Sequence, residues 1–88
     1  MGSQIEELTT RFLSVYQLLL NDEKVSSISD FAKKIDVSSS MLTEIKKGRS
    51  KVGLKAIQNT VQVFNEINPD WILTGNGNIK RDSNSVQD

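Results

Sequence analysis

The stretch "VSSSMLTEIKKG", Val37 to Gly48, decides how this chain is read. Three serines in a row open a segment that closes on two lysines and a glycine. A serine side chain caps a helix by accepting from a backbone amide two or three residues on, and one serine suffices for that. Glycine ends helices because it takes the left-handed conformation without a Cβ penalty. The stretch therefore predicts a short helix over 39–47, capped by Ser38 and stopped at Gly48. At about 100° per residue, Leu42 and Ile45 share one face. Ser39, Ser40, Thr43, Glu44 and Lys47 fall on the opposite face, with Lys46 at its margin.

Working outward, "SISD" at Ser27 to Asp30 has capping-box spacing, a hydroxyl followed three residues later by a carboxylate. It precedes Phe31, Ala32 and Ile35, the inward side of another short helix that ends about one turn before Ser38. Ile5, Leu8, Phe12, Val15 and Leu19 recur at three or four residues, an apolar stripe along a first helix. Leu54, Ile57, Val61 and Phe64 predict a similar stripe after Gly53. "NPDW" opens a last helix, with Asn68 as cap, Pro69 where no amide is needed and Asp70 at the positive end of the dipole. "TGNGN" at Thr74 to Asn78 stops it. The chain has one proline and no alternating strand-like run, so the expected fold is all-α, a compact five-helix bundle.

Composition narrows the chemistry. With 88 residues, no cysteine and no histidine, the chain has neither thiolate nor imidazole for a metal site or a nucleophile–base pair. No catalytic residue, metal or cofactor is assigned, and no small-molecule substrate is expected. No apolar run is long enough to span a bilayer, and "MGSQIEELTT" lacks a signal-peptide layout; a cytoplasmic location is expected. Basic and acidic residues balance at 11 each, yet they are not mixed evenly. Lys33, Lys34, Lys46, Lys47, Arg49, Lys51 and Lys55 crowd the middle against only Asp36 and Glu44, whereas Glu6, Glu7, Asp22, Glu23, Asp70, Asp82 and Asp88 lie to either side.

The residues alone leave two readings of the outer face of helix 39–47. It is a solvated surface, or it meets DNA. The outer positions near its start carry small hydroxyls and not the long Glu, Lys and Gln that favour exposed helix. They cost some helix propensity and leave room for another surface to come close. Two short helices joined within a turn also fit a helix-turn-helix.

The run from Ser27 to Phe64 resembles the phage-repressor and Cro-like helix-turn-helix family, the XRE family. The resemblance lies in Phe31-Ala32, Ile35, Val37-Ser38, Leu42, Ile45 and Gly48, with Asp70-Trp71-Ile72-Leu73 as a separate signature in the fifth helix. It implies a lambda-repressor-like DNA-binding domain over 4–79, its helix-turn-helix at about 28–48, followed by a polar tail over 80–88. It further implies a regulator, most simply a repressor, that reads the major groove of a double-stranded DNA operator. Ser39, Ser40, Thr43 and Glu44 would face bases. Ser27, Ser29, Lys46, Lys47, Arg49 and Lys51 would face phosphates.

Three positions depart from the family pattern. Ile28 stands where Gln is common, Asp36 where Gly is usual at a left-handed turn, and the outer face of helix 39–47 carries no Gln, Asn or Arg for bidentate base contacts. The resemblance leaves open a homodimer through the C-terminal helices, with Ile67, Ile72 and Ile79 as an apolar patch, and a monomer. Alternatives to a regulator are an antitoxin built on the same fold and a protein-interaction module that has lost DNA binding.

Overall fold

The computed structural model describes residues 3–81, and of residues 3–6 the backbone alone. Five helices follow in order: α1 (Ser3–Asn21), α2 (Ile28–Lys34), α3 (Ser39–Lys46), α4 (Leu54–Val63) and α5 (Pro69–Thr74). The all-α, five-helix expectation holds, and no helix is long and apolar enough to cross a membrane among these residues.

Local chemistry sets the helix boundaries. Ser27 Oγ accepts from the amide of Asp30 at 3.1 Å, Ser38 Oγ from that of Met41 at 3.3 Å and Asn68 Oδ1 from that of Asp70 at 3.0 Å. Each satisfies an amide that has no partner within its helix. The box at α2 is displaced by one residue: the Asp30 carboxylate accepts from Ser26, at 2.9 Å, and not from the cap itself.

The first three helices end alike. After α1, Glu23 N–H donates to Leu20 and Lys24 N–H to Leu19; after α2, Asp36 donates to Lys33 and Val37 to Ala32; after α3, Gly48 donates to Ile45 and Arg49 to Glu44. Each is a Schellman motif, which needs a left-handed residue just past the helix. Gly48 supplies it at φ 82°, whereas Glu23 and Asp36 adopt φ 62° and 59° in spite of their side chains. The left-handed turn expected at Asp36 is therefore present without the glycine.

The core gathers around Phe31 on α2. Its ring lies 5.3 Å from that of Tyr16, 5.7 Å from Phe12 and 6.2 Å from Phe64, centroid to centroid. Phe12, Val15 and Leu19 face inward as the α1 stripe predicts, joined by Tyr16; the side chain of Ile5 lies outside the described residues. Burial raises the Tyr16 hydroxyl above its ordinary pKa.

Two expectations are corrected. Of the stripe expected along α4, Ile57 and Phe64 are buried and Val61 packs partly against the core, but Leu54 is 62% exposed, and Ala56 and Thr60 are buried in addition. The inward face therefore extends to the Ala56 and Thr60 side of Ile57, and Thr60 is tolerated there because its hydroxyl donates to the Ala56 carbonyl at 2.6 Å. Ile67 and Ile72 are fully buried, so they are core residues and not an apolar surface patch.

The chain then doubles back. Asn68 N–H donates to Ile79 at 2.8 Å and Arg81 N–H to Glu66 at 2.7 Å, with Ile67 and Lys80 in an isolated antiparallel bridge. Lys80 Nζ reaches Asp22 Oδ2 at 2.8 Å. Lys80 and Arg81, read from sequence as tail, are thus tied to the body; residues 82–88 lie outside the described residues.

Candidate nucleic-acid interface

Burial of Leu42 and Ile45, at 1% and 0% exposure, fixes the rotation of α3 about its axis. Ser39 and Ser40, its first two residues, are consequently exposed; Thr43 and Glu44, a turn later, are half-buried. Ser38 is occupied as the cap, which leaves two of the three serines outward-facing. Below α3, Asn59 on α4 donates from Nδ2 to the Ile35 carbonyl at 2.9 Å. That bond pins the end of α2, and with it the turn that aims α3.

The segment after α3 carries the cations. Val52 is buried and donates its amide to Thr9 Oγ1 on α1 at 3.1 Å, which anchors the loop holding Arg49 and Lys51. Lys46, Lys47, Lys51 and Lys55 are exposed and form no ion pair among the described residues. Arg49 differs, since its Nη1 lies 3.6 Å from Glu44 Oε1. Two of the sequence-assigned site residues, one base-facing and one phosphate-facing, therefore touch each other. Lys34 is also engaged, with Asp30 at 3.2 Å and with the Lys24 carbonyl at 2.9 Å.

Ser27 and Ser29 stand at the other end of the pair, exposed at the start of α2. Ser27 Oγ is used as an acceptor by the cap, and its hydroxyl hydrogen is a donor suited to an anionic oxygen. The Asp30 carboxyl is held below its ordinary pKa by the Ser26 amide first and Lys34 second, so a negative charge is retained beside these serines.

Sequence reasoning passed over Met41. It is 37% exposed and borders a hollow of about 250 Å³ with Asp36, Val37, Ser38, Gly53, Lys55 and Ala56. It lies at the edge of the Leu42–Ile45 stripe, one turn before Ile45, and Lys55 shares the hollow from the first turn of α4. Comparisons of the chain with protein-family models, curated proteins and solved structures found no match.

Proposed function

We propose that the protein is a sequence-specific double-stranded DNA-binding regulator, most simply a repressor, of the phage-repressor and Cro-like type. In this reading α2 and α3 form the helix-turn-helix, α3 enters the major groove, and repression follows from occupying an operator. One observation carries the reading. The buried pair Leu42 and Ile45 turns the small hydroxyls of Ser39 and Ser40 outward, and the loop that follows adds Lys47 and Lys51, both exposed and without ion pairs. Small residues admit a groove edge, while unpaired cations suit phosphates, whose neutralisation releases counterions. Zero net charge is compatible with this arrangement because the field that DNA meets is local.

Selection from a random double-stranded DNA library, followed by titration of the enriched sequence at low and moderate salt, tests the proposal. The expected result is a single motif whose affinity falls steeply with salt. A folded protein that enriches nothing at low salt overturns it. An interaction module is the second reading, favoured by exposed Met41, Leu54, Val63 and Leu73. It expects Lys47→Ala with Lys51→Ala to leave a protein partner's affinity unchanged, whereas the DNA reading expects the double variant to lose duplex binding.

A further inference from the structure

We propose that Glu44 selects a cytosine in the DNA read by α3, accepting from the base's 4-amino group, while Arg49 holds the carboxylate until a phosphate takes Arg49 over. The inference rests on the reading of α3 as a major-groove helix. Ser39, Ser40 and Thr43 carry hydroxyls that both donate and accept, so they distinguish bases weakly. Glu44 is the one group among these four that can only accept. Lying one turn beyond Ser40, its side chain is 39% exposed.

A carboxylate brought to a polyanion is repelled unless it is given a donor. In the major groove, amino groups are donated by cytosine N4 and adenine N6. Adenine sets its N7 acceptor beside that amino group, which repels the second carboxylate oxygen; cytosine carries no such acceptor on its own major-groove edge. Charge and geometry together therefore favour cytosine.

Arg49 explains how the carboxylate is kept without DNA. The Schellman turn at Gly48 returns the chain so that the Arg49 amide donates to the Glu44 carbonyl at 2.9 Å, and the two side chains meet at 3.6 Å. Arg49's side chain is 66% exposed, and pairs this open are weak and readily exchanged. Phosphate competes for the guanidinium on docking, leaving the carboxylate in need of the base's amino group. The ion pair thus acts as a placeholder, occupied by protein in the free state and by two parts of the duplex in the bound state.

The test is the same library selection run in parallel with the parent, Glu44→Gln and Arg49→Ala, each checked for helical content by circular dichroism. The parent is expected to show a cytosine column with discrimination of about tenfold. Glu44→Gln is expected to exchange that column for adenine, since the amide matches adenine N6 and N7. Arg49→Ala should keep the cytosine and lower the salt slope by about one. If the parent motif has no such column, or Glu44→Gln retains it, the inference fails while DNA reading stands. Loss of the column in Arg49→Ala with retention in Glu44→Gln assigns it to Arg49 reading the paired guanine, which also overturns it. No motif from the parent overturns both the inference and the reading beneath it.

Discussion

Arg11, in the middle of α1, donates from Nε to the Ile72 carbonyl at 2.7 Å and from Nη2 to that of Leu73 at 3.3 Å. A side chain from the first helix thereby serves the unpaired carbonyls at the end of the last, where a positive charge also suits the dipole. Arg11→Ala is expected to destabilise the fold by about 1–3 kcal/mol, measured by urea unfolding. Arg11→Lys should recover only part, because it lacks the fork that reaches two carbonyls. An alanine variant as stable as the parent would remove this contact from the account of how α5 is held.

The two side-chain-bearing left-handed residues predict a gain. Glu23 and Asp36 hold φ values of 62° and 59°, a conformation that costs an L-residue roughly 1–2 kcal/mol and aspartate less than most. Glycine relieves that cost but adds freedom to the unfolded chain. Glu23→Gly is expected to stabilise by about 0.5–1 kcal/mol, and Asp36→Gly by less. Thermal unfolding checks the order, and a larger gain at Asp36 would contradict it.

Much of this local architecture was legible in the sequence. Ser27, Ser38 and Asn68 announce caps because a cap is a contact between residues two or three apart. Leu42 and Ile45 announce the rotation of α3 because, Met41 apart, every other residue of the helix is polar. The inward face of α4 was legible only in part. Ile57 and Phe64 are buried as their spacing implies, but Leu54 stays outside while the small Ala56 and a Thr60 whose polarity is cancelled within its own helix take inward places. Arg11 with Ile72, 61 positions apart, and Asn59 with Ile35 leave no local trace. Glu44 with Arg49 is near in sequence, yet it depends on the turn at Gly48 and so appears only once the loop is built.

Stability should respond to pH at both ends of the scale. Asp30 titrates below its ordinary value of 3.8, chiefly through the Ser26 amide. Its contribution is therefore in place above that value and is lost as pH falls through the lower folded-state pKa. Lys80 is raised above 10.5, first by its hydrogen bond to Asp22, and Tyr16 above 10.0 by burial. Their contributions are complete below those values and are lost as pH rises past the raised ones. Asp30→Asn should flatten only the acid limb of a denaturation-midpoint profile, and Lys80→Met should reduce only the alkaline one. A Lys80→Met profile with an unaltered alkaline limb would count against the Asp22 pair.

On the proposed DNA reading, lysines and serines separate by kind of effect. Lys51→Ala should weaken binding to all sequences and lower the slope of log affinity against log salt by about one. Ser40→Ala should leave the slope unchanged and alter discrimination within the motif. Fluorescence titration on the selected sequence and on single-base variants measures both. Reversed behaviour would move Ser40 to the phosphates and Lys51 to the bases.

The backbone clasp between Glu66–Asn68 and Ile79–Arg81 has a mechanical consequence. It closes the chain into a loop that contains α5, fastened by two backbone hydrogen bonds and by Lys80 on Asp22. Tension entering from residues beyond Arg81 is passed to Glu66 and to Asp22 before it reaches α5. The six-residue helix is thereby shielded from load, which passes instead to the segments next to α1 and Phe64.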